Sequence, residues 1–131
     1  MLNNVVAHFT DGRVIKGTSL DAQPGRPICH IKTDEGVLEV AFRDLKALYF
    51  VKDLNGNPGY REATEPDAAD MRLRGSRQLK IKFQDGEEMV GLTTGDPKQR
   101  PYFFAMPMDQ KSNNLRILVN RDAVRSIGPS S

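Results

Sequence analysis

The chain has no tryptophan, one cysteine and two histidines in 131 residues, and aromatic side chains make up only 7% of it. A lone thiol, Cys29, excludes an internal disulfide and any cysteine-based metal cluster, and it fits a reducing compartment. His8 and His30 stand in no metal-ligand spacing. There is no apolar run of about 18 residues, the minimum for a membrane helix, and no basic stretch leading into an apolar one. A nucleophile-elbow serine, a phosphate loop and a dinucleotide glycine fingerprint are all missing as well. These absences point to a soluble, cytoplasmic protein without enzymatic activity, cofactor, metal or membrane partner.

What the chain does contain is a copy of itself. Residues 5–27 lie on residues 79–101 at a constant offset of 74, with Phe9, Asp11, Gly12, Gly17, Arg26 and Pro27 falling on Phe83, Asp85, Gly86, Gly91, Arg100 and Pro101. Apolar positions follow, Val5, Ala7 and Ile15 matching Leu79, Ile81 and Met89, so one structural unit is used twice. Further on, Arg43-Asp44 matches Arg121-Asp122 at an offset of 78, which places four inserted residues in the polar stretch 109–114.

Each unit reads as short antiparallel strands. Alternation around Asp11-Gly12 and Asp85-Gly86 predicts a tight hairpin, since Gly accepts the positive φ such turns require. Gly17 and Gly91 fall inside the second strand, where a missing side chain marks a bend or a close backbone approach. Pro27 and Pro101 open third strands over 28–33 and 102–108; fourth strands are predicted over 37–42 and 115–119, and fifth strands over 45–51 and 123–127. The expected division is a first repeat over 1–53, a connector over 54–76 and a second repeat over 77–131. In the connector Glu65-Pro66-Asp67 could start a short helix, and Tyr60 and Met71 are candidates to pin a partly ordered crossing.

The closing segment 117–129, Ile-Leu-Val-Asn-Arg-Asp-Ala-Val-Arg-Ser-Ile-Gly-Pro, resembles the last two strands of bacterial Sm-like RNA chaperones, and Val40 to Val51 is a looser version. Small SH3-type barrels share most of these features, and the whole chain also resembles a group of small uncharacterised bacterial proteins. The resemblance implies an all-β architecture of two tandem five-stranded small barrels. It also implies single-stranded RNA or DNA binding, although the base-reading motif is not recognisable and Arg43-Asp44 and Arg121-Asp122 replace the basic turn of that family.

Charge adds a second candidate surface. Residues 1–65 carry 8 basic and 9 acidic side chains, residues 66–131 carry 11 and 8. Arg72, Arg74, Arg77, Lys80 and Lys82 form a run without an intervening acid, suited to phosphates or an acidic partner, or else to the solvent face of a strand. The duplicated Arg26 and Arg100 suit either an anion clamp or a loop brace pairing with Asp21 or Asp96. Arg121 and Arg125 have the spacing of an arginine pair used by cyclic-dinucleotide receptors, without its polar-glycine companion. If Phe103 follows Cys29 into the core, then Tyr102, Phe104 and Met106 point outward and need cover, by the other repeat, a second subunit, a protein partner or stacked bases. The expectation is a binding or adaptor module, a protein partner being favoured over nucleic acid, with homo-oligomerisation possible and small-anion or nucleotide sensing a distant alternative.

Overall fold

In the computed structural model, which describes residues 2–56 and 58–129, the protein is all-β. Ten strands run in chain order: β1 (Asn3–Phe9), β2 (Val14–Ser19), β3 (Ile28–Thr33), β4 (Gly36–Ala41), β5 (Leu45–Val51), β6 (Arg77–Phe83), β7 (Glu88–Thr93), β8 (Tyr102–Pro107), β9 (Asn114–Asn120) and β10 (Val124–Pro129). Every pairing is antiparallel. Among the described residues the helical elements are short 3-10 turns: Phe42–Asp44, Met71–Arg74, Pro97–Gln99 and Arg121–Ala123.

The duplication is borne out strand for strand. Phe9 N–H donates to Arg13 O and Phe83 N–H to Glu87 O, closing the two hairpins in the same way. Gly12 and Gly86 sit at φ +94° and +93°, while Asp11 and Asp85 accept the N–H two residues on. An added Cβ on Gly17 would lie 2.2 Å from Lys32 O, and on Gly91 2.6 Å from Met106 O. At these bends β2 and β7 cross closely over β3 and β8, and the pairing there shrinks to Thr18–Lys32 in one unit and to Gly91–Pro107 and Leu92–Met106 in the other.

Two expectations are revised. What the structure shows is coarser than two tandem barrels: the order β10-β6-β7-β8-β9-β5-β1-β2-β3-β4 is one ten-stranded sheet, because β5 of the first unit pairs with β9 of the second. Each unit still wraps a cluster of its own, Phe42, Phe50 and Ile31 lying in one, Phe83, Ile81 and Phe103 in the other. The second correction concerns the repeat offset beyond the insertion. Thr10 N–H donates to Asp44 O and Gln84 N–H to Ala123 O, and Phe9 pairs with Leu45 as Phe83 pairs with Val124, so the offset is 79 and the insertion five residues. Arg43-Asp44 and Arg121-Asp122 are therefore one residue out of structural register, which in a strand exchanges the two faces.

The connector is anchored at specific points. Tyr60 Oη donates to Asp109 Oδ2 at 2.5 Å and Ala63 N–H to the same oxygen at 2.8 Å. No helix forms at Glu65-Pro66-Asp67; a 3-10 turn follows at Met71–Arg74, where Asp70 caps Arg72 N–H. Met71 does not pin it, being 71% exposed.

Gly17→Val and Gly91→Val are each expected to lower stability by at least about 2 kcal/mol, roughly 8 °C in melting temperature for a chain of this size. Gly17→Val should be the worse because its Cβ meets a backbone oxygen at the shorter distance. Thermal unfolding followed by circular dichroism checks both.

Candidate functional site

The seam between the units is where side chains of both come together. Alternation along β5 sends Leu45, Leu48 and Phe50 into the first cluster and Ala47 and Tyr49 toward the second. On β9, Leu118 enters the first cluster and Ile117 and Val119 the second, so this strand pair is buried on both faces. Tyr102 and Phe104 pack on the first cluster, with ring centroids 5.7 Å from Phe42 and 5.8 Å from Phe50. The first unit thus covers the outward face of β8. Arg116 lies 4.5 Å from the centroids of both Phe50 and Phe104 and caps the aromatic pair from solvent.

Two polar residues lock the seam. Lys46, with 11% of its side chain exposed, reaches from β5 to the β6–β7 turn, with Nζ 2.8 Å from Asp85 Oδ2 and 2.7 Å from Glu87 Oε1, above the Phe83 ring. Burial works to lower its pKa, but the bonds to the two carboxylates outweigh that and raise it; the lysine in turn holds Asp85 below the usual carboxylate range. Asn120, 5% exposed, donates from Nδ2 to Leu45 O at 2.9 Å and fastens the end of β9 to the start of β5.

Beside this lock an open groove of about 570 Å³ is lined by His8, Lys16 and Tyr49 of the first unit, Glu87 and Glu88 of the second and Glu62 of the connector. His8 is half-buried against the edge of Tyr49, 4.7 Å between centroids, rather than solvent-facing, and burial followed by the Lys46 charge lowers its pKa. Burial, reinforced by Glu87 and Asp85, raises the pKa of Tyr49. Imidazole and phenol are thus both shifted toward their neutral forms, and of the three carboxylates Glu87 is paired with Lys46 and Glu88 with Lys80, while Glu62 is exposed. Among the described residues no three His, Cys, Asp or Glu side chains are grouped so as to hold a metal. Cys29 is fully buried and its thiol is pushed up to about 11 by burial.

The basic run is divided. Arg72 is a structural brace: it forks onto Asp70, with Nη2 at 2.7 Å from Oδ2, and donates to Pro107 O and Met108 O. Lys80 pairs with Glu88 at 3.2 Å. Arg74, Arg77 and Lys80 are exposed and Lys82 half-buried. Gly128 and Ser126 of β10 pair with Lys80 and Lys82, so these lysines lie beside the β10 edge. Arg26 and Arg100 are exposed, and among the described residues their side chains make no hydrogen bond or ion pair. The acids proposed for them are engaged elsewhere: Asp21 with His30 and Ser19, Asp96 with Lys98 N–H. Met106 is half-buried, at the bend opposite Leu92.

Sequence reasoning missed Lys46 and Asn120. A single lysine in the run Leu-Lys-Ala-Leu-Tyr-Phe-Val is a usable signal, because a charge inside an apolar strand must find partners.

A duplicated all-β sheet whose halves share one wall defines the class of protein here. The chain belongs to a family of unknown function, DUF6982, whose profile matches residues 1–128. No curated protein and no solved structure matches it.

Lys46→Met is expected to cost about 1 kcal/mol at pH 7, modest because both carboxylates are half-exposed. The lowered pKa of Asp85 contributes stability above its unfolded value and loses it as pH falls through the folded one, below about pH 4. The raised pKa of Lys46 contributes fully below its unfolded value and loses this only on the alkaline side. The gap in stability between wild type and Lys46→Met should therefore narrow between pH 5 and 3, read by urea denaturation at each pH.

Proposed function

We propose that the protein is a non-catalytic binding module that acts through a protein partner, taken up as an added strand on the exposed edge of β4. The observation behind this reading is a difference between equivalent strands. Pairing places β4 of the first unit in the position of β9 in the second, Leu38 matching Ile117 and Val40 matching Val119. In β9, Ile117 is 3% exposed because β5 lies alongside; in β4, Leu38 is 42% and Val37 63% exposed. An apolar edge strand with a row of free backbone groups is a ready template for strand addition.

Single-stranded nucleic acid is the second reading, favoured by the strip of Arg74, Arg77, Lys80 and Lys82. The aromatics that would stack bases beside it, Tyr102 and Phe104, are at the seam instead.

A photo-crosslinking phenylalanine analogue in place of Val37, in cells making the full chain, should give a discrete polypeptide adduct that the same group in place of Gln23 does not. No adduct at position 37, together with anisotropy showing micromolar binding of uridine-rich RNA at about 50 mM salt that fades at 200 mM, would replace the protein reading with the nucleic-acid one.

A further inference from the structure

We propose that the partner strand on β4 is β10 of a second copy of this chain, so that copies join head to tail by repeating the internal seam. This deepens the reading of β4 as a docking edge and rests on it.

The sheet order leaves two edges open, β10 at one end and β4 at the other. Through the repeat these are the counterparts of the two strands already joined, since β10 pairs with β6 as β5 pairs with β1, and β4 pairs with β3 as β9 pairs with β8. Carrying the seam register across by the repeat offset sets Ser126 opposite Val40, Ile127 opposite Glu39 and Gly128 opposite Leu38 of the next copy. The ladder ends at Pro129, which has no N–H to give. Leu38 would then be covered as Ile117 is.

One of the seam's two ion pairs, that to Asp85, has its counterpart too, while Arg13 stands where Glu87 does. Arg125 occupies the place of Lys46 and Asp11 that of Asp85, so Arg125 of one copy would reach the β1–β2 turn of the next as Lys46 reaches the β6–β7 turn within the chain. Neither group is committed deeply at present: Arg125 is exposed and donates to Gln84 O at 3.3 Å, and Asp11 pairs with Arg13 with both side chains more than half-exposed. Charge at the two ends agrees. Asp34, Glu35 and Glu39 outnumber Lys32 and Arg43 on and beside β4, while Arg77, Lys80, Lys82, Arg121 and Arg125 outnumber Glu88 and Asp122 on and beside β10.

The side chains differ from the seam in one respect that sets the strength of the joint. Glu39 replaces Leu118, Ser126 replaces Ala47 and Gly128 replaces Tyr49, so little apolar area is buried and charge carries a large share. The contact is heterologous and propagates, to a ring or a filament. It should be reversible and sensitive to salt.

Sedimentation velocity on the full chain, from about 5 to 300 µM, tests this. At 50 mM salt the mean mass should rise with concentration beyond that of a dimer, and at 500 mM the half-association concentration should rise at least about tenfold. Arg125→Glu should raise it by a similar factor, Arg125→Lys should keep wild-type behaviour, and Arg125→Glu combined with Asp11→Lys should recover much of the loss, with circular dichroism melts confirming that each variant is folded. A wild type that stays monomeric at 300 µM and 50 mM salt overturns the head-to-tail joint, as does a mass that stops at dimer or one that Arg125→Glu leaves unchanged. If the photo-crosslinker at position 37 still captures another polypeptide, docking on β4 stands with a different occupant; if it captures none, both readings fall.

Discussion

The pairing of β5 with β9 is the constraint on which the rest of the structure depends. A small five-stranded unit has few positions for a core, and a strand that is apolar on only one face contributes to only one. Here β5 and β9 each serve two clusters, with Leu48 and Leu118 facing one and Ala47, Ile117 and Val119 the other. Without its partner, either unit would expose a strand apolar on both faces and a row of unpaired amides. The stability of the halves is thus coupled through a wall that neither owns. Lys46 and Asn120 add direction to this coupling, because an ion pair to one particular turn and an amide to one particular carbonyl fix a register that apolar contact alone would leave loose.

Duplication gave the protein two copies of each surface, and the copies have diverged according to where they lie. At the seam the facing positions are Ala47, Tyr49, Leu118, Tyr102 and Phe104; their equivalents at the outer edges are Ser126, Gly128, Glu39, Ile28 and His30. One backbone arrangement is made permanent inside the chain by aromatic and aliphatic contact and is left polar outside it. The glycine bends and Asp-Gly turns are retained in both copies, since they answer to the path of the backbone, which the two units share.

This division also explains what was legible in the sequence. Both hairpins, both bends and the all-β class follow from local chemistry: Gly12 and Gly86 at positive φ, Gly17 and Gly91 where another strand's carbonyl leaves no room for Cβ. The β5–β9 pairing was not legible, because a doubly apolar strand announces that it is covered and not what covers it. The one-residue slip in the repeat had a similar origin. Aligning two identical Arg-Asp pairs is attractive on identity, but it sets core-facing Leu48 against Ser126, whereas the backbone register sets it against Ile127, which packs on the second cluster. Of the candidate site residues, Tyr102 and Phe104 went to the seam and Arg72 to bracing Asp70 and the end of β8. In each case the deciding contact is far away in sequence.

Open backbone, and arginines without a partner among the described residues, lie at the ends of the sheet. The seam groove holds titratable side chains, yet Lys46 is already paired with Asp85 and Glu87, and His8 and Tyr49 are shifted toward their neutral forms. At the sheet edges the situation is reversed, with exposed backbone on β4 and β10, apolar Val37 and Leu38, and arginines such as Arg77 whose side chains have no partner among the described residues. An arrangement that is satisfied in the middle and unsatisfied at both ends is suited to joining things, which is why the edges rather than the groove carry the functional reading.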